Sequence, residues 1–173
     1  KYPVIIYDIS FIAYKSTHIL YSSSVLPEFG NINPNIMPAI HLPVQSGSSR
    51  ILKLMGRKYT KEEYITLFDK IKKIPNVSVS TDIIVGFPNE TEEDFNETLD
   101  LVNYCKYDNA YTFIFSPREN TPAAKMKDDV PLKVKEERLA RLNETVNKYF
   151  LENNKKLVGK TVKVLLEGES EKK

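Results

Sequence analysis

The chain has 173 residues, with 25 Lys and Arg against 23 Asp and Glu and a formal net charge of +2. That length allows one domain with a sizeable core, and so small a charge neither argues for nucleic-acid binding nor excludes it. The apolar runs are strand-sized, which excludes a transmembrane helix, and the single cysteine, Cys105, excludes an internal disulfide and any protein-only cluster or zinc site.

The opening KYPVIIYDISF carries no secretory pattern, so a cytoplasmic setting is expected. Val4–Tyr7 and Phe11–Tyr14 read as short strands, and Asn31–Met37 as a turn. Ala39–Val44 reads as a buried strand that ends in Gln45 and Ser46. Ser48 or Ser49 then starts a helix with Ile51, Leu52 and Met55 on one side. Thr60–Glu63 is a capping box, and the helix behind it places Tyr64, Phe68 and Ile71 on one face until Pro75 and Asn76. Val77–Val85 is the next strand. Asn89 and Thr91 cap the helix after it, with Asp94 in its first turn and Phe95, Leu99 and Val102 on its buried stripe. Ala110–Phe115 is a third strand. Ser116–Val130 is a loop rich in Pro, Asp and Lys, and Pro131 opens a long helix striped by Leu139, Leu142, Val146, Tyr149 and Phe150. Gly159 interrupts, and TVKVLLEG begins a further strand.

Strands alternating with helices predict an α/β fold with parallel strands and helical crossovers. Three or four such strands do not close an eight-stranded barrel, so an open sheet or a piece of a larger barrel is expected. Functional groups in such folds cluster at the ends of successive strands. Side-chain alternation puts His41, Pro43 and Gln45 on one face, and Ser80, Asp82, Ile84 and Gly86 on one face of the next strand. Gln45 both donates and accepts while an ionised Asp82 accepts, a set suited to vicinal hydroxyls. Arg57 offers a fork for a carboxylate, and Gly86 lets a flat ring approach the backbone above Ile84. S-adenosylmethionine combines ribose, purine and carboxylate. Residue types alone leave bland alternatives open: Gln45 as a surface residue, Asp82 as a partner of backbone N–H groups, Arg57 as a partner of Glu62 or Glu63.

HLPVQSGSSRILKLMGRKYTKEEY, STDIIVGFPNETEEDF and AYTFIFSPRENTPAAKM resemble the methylthiotransferase family of radical S-adenosylmethionine enzymes, in particular its tRNA-modifying branch. The likeness runs from Pro34 to Gly168. It implies that residues 34–157 are the C-terminal half of a TIM-type partial β/α barrel with its long helix. By the same resemblance, residues 1–33 are a poorly matching barrel segment, and 158–173 open a small RNA-binding β domain called TRAM. The implied activity is transfer of a methylthio group to C2 of an isopentenylated adenosine beside the tRNA anticodon. S-adenosylmethionine serves there as methyl donor and as the molecule cleaved reductively, with two [4Fe-4S] clusters in the full-length family and an electron donor to reduce them. The resemblance assigns Gln45 and Asp82 to the ribose, with Ser46 in the same cofactor set, and Arg57 to the carboxylate. Ile84, Gly86, Phe113 and Phe115 are assigned to the adenine. Glu90 is set aside as a cap or fold residue, and no catalytic residue is assigned.

The departures are as specific as the matches. The family's C-x3-C-x2-C motif and its three auxiliary-cluster cysteines are absent, and Ser16-Thr17-His18 is followed by Ile19 where a proline is expected. The expectation is a piece missing an N-terminal domain and the first barrel strands, inactive alone, with strand edges that favour self-association. The alternatives left open are the ribosomal-protein enzyme of the same family and a non-catalytic RNA-binding relative. His18 and His41, the only histidines, do not make a metal site, and His41 reads as a satisfied lumen histidine. Arg118, Lys125 and Lys127 are candidate contacts to an anticodon loop, with a solvated loop as the equal alternative. Arg138 and Arg141 read as a charged outer helix face.

Overall fold

The computed structural model describes residues 39–119 and 121–161. The strands expected before Asn31, the turn at Asn31–Met37, His18 and the strand expected after Gly159 lie outside the described residues. Within them the order is β1 (Ala39–His41), α1 (Ser49–Leu54), α2 (Lys61–Ile71), β2 (Ser78–Val85), α3 (Glu92–Cys105), β3 (Asn109–Ile114), a 3-10 turn at Pro122–Lys125, and α4 (Leu132–Lys155). The three strands form one sheet in the order β1-β2-β3, both pairings parallel. Parallel neighbours require crossover connections, and each strand here is followed by helix. This is the α/β alternation expected from the sequence.

The helices begin where the sequence marks them. Thr60 accepts from the Glu63 N–H and Glu63 reaches back to the Thr60 N–H at 2.9 Å, closing the box at α2. Thr91 and Asp94 repeat the device at α3. Asn89, expected to share that cap, instead holds a left-handed backbone (φ 66) and donates its N–H to Asp129. Asparagine tolerates that conformation, so a turn ahead of the helix is its place. Pro131 immediately precedes the first helical residue of α4.

The core lies between one face of the sheet and the helices α2, α3 and α4. Ile40, Leu42, Val44, Val79, Ile83 and Val85 point into it from the strands, and Phe68, Phe95, Val102, Leu142 and Val146 meet them. The alternation on β2 is strict: Val79, Thr81, Ile83 and Val85 are buried, while Ser80, Asp82 and Ile84 are half-buried on the opposite face. On α4 the apolar stripe holds except at Phe150, which is 47% exposed because Tyr149, one residue earlier, takes the inward position. Traced toward the N-terminus, the same stripe runs through Arg138 and Lys135. Arg138 is therefore no outer-face residue: both side chains are buried. Cys105 packs in the core, and burial pushes its thiol up to about 12.

Candidate cofactor site on the open face of the sheet

The face of the sheet turned away from the helices carries polar and aromatic side chains. Register places His41 beside Ser80, Asp82 beside Tyr111, and Ile84 beside Phe113. Tyr111 and Phe113 are about half exposed. Purely parallel sheets are normally covered on both faces; in a barrel this second face is the lumen. Ile84 and Phe113 thus form an apolar platform next to the Asp82 carboxylate.

Gln45 reaches this region by an irregular route. Beyond His41 the pairing slips, so that Gln45 sits opposite Ile83 instead of Ile84. Its N–H donates to the Asp82 carbonyl at 2.8 Å, and its own carbonyl accepts from the Ile84 N–H at 2.9 Å. The extra residue on the β1 side leaves the Val44 N–H without a backbone partner, and the buried Thr81 hydroxyl accepts from it at 3.1 Å. Gln45 itself takes a left-handed backbone (φ 71). Simple alternation, which would put it on the face of His41, stops here. The residue is 9% exposed, and its amide has no hydrogen-bond partner among the described residues. Ser46 turns the other way: it is fully buried, its hydroxyl 3.4 Å from Thr98 on α3 and accepting from the Ser48 N–H. In this structure Ser46 shapes the turn rather than lining the open face.

Arg57 follows α1 on an exposed loop and makes no ion pair among the described residues, with Glu62 and Glu63 committed to Ser49 and to the α2 cap. The loop is tied to the segment after β1 by Tyr59, whose hydroxyl donates to the Val44 carbonyl at 3.1 Å. Burial raises the Tyr59 pKa, and the charge of Arg57 offsets part of that rise. Sequence reasoning gives Tyr59 no role; a tyrosine two residues after the arginine, in the turn GRKYT, is its only signal.

Gly86 has an unexpected neighbour. It holds φ 71, and a Cβ built there would lie 2.4 Å from Cγ of Lys135 and 2.8 Å from its Cδ. The room that glycine leaves is filled from behind by α4, not left open for a ring. Lys135 continues to Asp128, with Nζ at 2.7 and 2.6 Å from the two carboxylate oxygens, and its ammonium stands 5.6 Å from the Phe115 ring centre. Phe115 meets Phe87 edge to face at 4.9 Å. Glu90, set aside from the cofactor set, accepts from the Gly86 N–H at 2.7 Å and from Arg138 at 2.8 Å. Burial raises the Glu90 pKa, against the pull of the Gly86 N–H and the Arg138 charge. Arg118, Lys125 and Lys127 are exposed on the loop after β3. A separate cleft of about 510 Å³ lies among Arg50, Glu90, Thr91, Val130 and Arg138, apart from the open face.

The Radical SAM superfamily profile matches residues 9–102, more than half of the chain. The chain belongs to the Radical SAM superfamily. Its relatives include the tRNA-2-methylthio-N(6)-dimethylallyladenosine synthases of Bacillus cytotoxicus, 55% identical over 94% of this chain, and of Bacillus subtilis, 61% identical over 79% of it. The chain spans 32% and 27% of those proteins' lengths. Among solved structures, Escherichia coli coproporphyrinogen III oxidase, a Radical SAM enzyme, shares the fold with a TM-score of 0.59 at 22% identity, over 72% of this chain and 30% of that one.

A Radical SAM fold implies S-adenosylmethionine, and the open face fits it. The Asp82 carboxylate and the Gln45 amide, which has no partner among the described residues, suit hydroxyls. Ile84 and Phe113 offer a flat apolar surface, and Arg57 is a cation without an acidic partner among the described residues. The iron–sulfur cluster is a different matter. With one cysteine in 173 residues, and that one in the core, this chain does not supply a three-cysteine ligand set.

Proposed function

We propose that the chain is the S-adenosylmethionine-binding part of a cytoplasmic tRNA methylthiotransferase, which adds a methylthio group to C2 of N6-isopentenyladenosine beside the anticodon. The observation that carries this reading is the 55% identity over nearly the whole chain to a tRNA-2-methylthio-N(6)-dimethylallyladenosine synthase. The chemistry of the open face supports it independently.

On this reading Gln45 and Asp82 hold the ribose hydroxyls, Arg57 pairs with the amino-acid carboxylate, and Ile84 with Phe113 carries the adenine. Phe115 and Gly86 act one layer further out, where Lys135 braces both. Bound S-adenosylmethionine supplies the methyl group and, once reductively cleaved at a cluster, the means to take a hydrogen from the adenosine. The protein's part is to hold and aim it. Arg118, Lys125 and Lys127 stand beside Tyr111 and Phe113 in sequence, and give an anticodon loop phosphate and stacking contacts. The cluster ligands come from outside these 173 residues, so the chain alone is inactive.

The direct test uses a full-length protein carrying this segment, reductant, and an anticodon stem-loop containing N6-isopentenyladenosine, with mass spectrometry of the digested nucleosides. The 2-methylthio product is expected; its absence, with a ribosomal protein modified instead, would favour the sister activity. Asp82→Ala and Arg57→Ala are each expected to weaken S-adenosylmethionine binding about tenfold or more while tRNA affinity holds. Normal cofactor affinity in both would remove the site assignment. The 173-residue chain with iron, sulfide and reductant is expected to show no stoichiometric cluster absorbance.

A further inference from the structure

His41 stands on the open face, is not used by the cofactor reading, and contacts a side chain from each of the other two strands. It comes from β1, and the register sets it directly opposite Ser80 of β2. Its Nδ1 lies 2.9 Å from the Ser80 hydroxyl, and its Nε2 lies 3.3 Å from Oδ2 of Asp82. The edge of the Tyr111 ring, from β3, stands against it with centroids 6.1 Å apart and planes at 72°. Three strands therefore fix one imidazole. Such an arrangement needs no metal and no buried charge, for His41 and Asp82 are each more than a quarter exposed.

The contacts determine the proton positions. A carboxylate only accepts, so the nitrogen facing Asp82 carries a hydrogen. In the neutral ring Nδ1 then accepts, and the Ser80 hydroxyl is free to donate to it. The same contact, an ion-pair distance of 3.3 Å and not a hydrogen bond of good geometry, sets Oδ2 of Asp82 against the ring. Oδ1 has no hydrogen bond among the described residues. One carboxylate oxygen thus faces the imidazole, while the other faces no polar partner among the described residues and is left for an incoming donor.

We propose that His41 is a positioning residue for S-adenosylmethionine: by holding Oδ2 of Asp82 it presents Oδ1 to a ribose hydroxyl, with Ser80 setting its tautomer and Tyr111 bracing its ring. This rests on the cofactor reading above and adds the element that orients the carboxylate. A ligand-binding side chain left to rotate loses affinity even when its charge is intact, because the ordering must then be done at the moment of binding.

The test is equilibrium binding of S-adenosylmethionine to a full-length, cluster-loaded protein carrying this segment, measured calorimetrically. His41→Asn retains an amide near the Nδ1 position but falls short of Asp82, whereas His41→Gln extends an N–H donor to where Nε2 stood. His41→Asn is expected to bind about tenfold more weakly and His41→Gln within about twofold of the parent. The Asp82→Asn/His41→Asn double variant is expected to be no weaker than Asp82→Asn alone, since the histidine acts only through the aspartate. Ser80→Ala, a smaller change that also serves should His41→Asn unfold, is expected to lose affinity in the same direction. Three results would overturn the proposal: parental affinity in His41→Asn or, if that variant unfolds, in Ser80→Ala; equal losses in the Asn and Gln variants; or additive losses in the double variant. Those results with Asp82→Asn still weakened leave the cofactor reading standing. Parental affinity in Asp82→Asn itself removes both.

Discussion

Gly86→Ala separates two explanations of a glycine beside a cofactor site. If the missing Cβ makes room for a flat ring, the substitution harms cofactor binding and leaves the fold intact. The structure argues otherwise, because the space is taken by Lys135, whose Cβ, Cγ and Cδ would stand 3.1, 2.4 and 2.8 Å from the new methyl group. Two costs then fall on stability. An alanine at φ 71 costs about 1–2 kcal/mol. Displacing a side chain whose root is packed and whose head is held by Asp128 adds about 1–3 kcal/mol. A loss of about 2–5 kcal/mol is expected in urea unfolding followed by circular dichroism, read as a shift of midpoint at unchanged slope. Lys135→Ala removes the two closest atoms. In that background Gly86→Ala should lose only about 1–2 kcal/mol, the conformational part alone. A Gly86→Ala protein within about 0.5 kcal/mol of the parent, or one equally destabilised with and without Lys135, would refute the reasoning.

Arg138→Met leaves the Glu90 carboxylate buried with only the Gly86 N–H, and a broken buried pair of this kind costs about 3–5 kcal/mol near neutral pH. Glu90 already has a raised pKa; removing the guanidinium raises it further, and such a carboxyl favours the fold below its unfolded pKa and loses that advantage as pH rises through the folded one. The Arg138→Met loss should therefore be smaller near pH 5 than near pH 7, and Glu90→Gln should recover much of it; a pH-independent loss in urea midpoints would contradict this. Asp94 behaves oppositely. Burial opposes its charge, but hydrogen bonds from Arg50, the Thr91 backbone and the Ser48 hydroxyl prevail and hold its carboxyl well below the usual range. Its contribution is present above about pH 4 and fades as pH falls through the folded pKa, so the stability gap between the parent and Asp94→Asn should narrow on acidification, as acid titration of the circular dichroism signal will show. Lys125→Glu with Lys127→Glu should weaken tRNA binding and reduce the salt slope by about 0.7 for each phosphate no longer neutralised, a flat result in filter binding at several salt concentrations placing both lysines off the RNA.

Local physics was legible without coordinates. The capping box at Thr60–Glu63, the Thr91 cap, the apolar periods of α2, α3 and α4, and alternation along β2 follow from short-range sterics and hydrogen bonding, so the helices, the parallel strands and the half-buried face of Ser80, Asp82 and Ile84 could be read in advance. The family motif named Gln45, Arg57 and Asp82 as a set. What it could not supply was the route by which Gln45 comes to lie beside Asp82. The register slip at Gln45 depends on Thr81, from another strand, replacing a lost backbone partner. Ser46 was expected beside the ligand, yet the packing of α3 against its turn draws it into the interior.

Tertiary structure alone decided which charges are inside and what glycine is for. Lys135 and Arg138 carry the composition of a solvated helix face, but they lie on the stripe of Leu142 and Val146, and the turn between β2 and α3 meets them with Gly86 and Glu90, and α3 with Phe95. Periodicity assigns a residue to a direction on its own helix; whether that direction meets hydrocarbon, a carboxylate or a vacant backbone is set by elements distant in the chain. The same holds for His41, whose role follows from a serine, an aspartate and a tyrosine that only parallel pairing brings to its side.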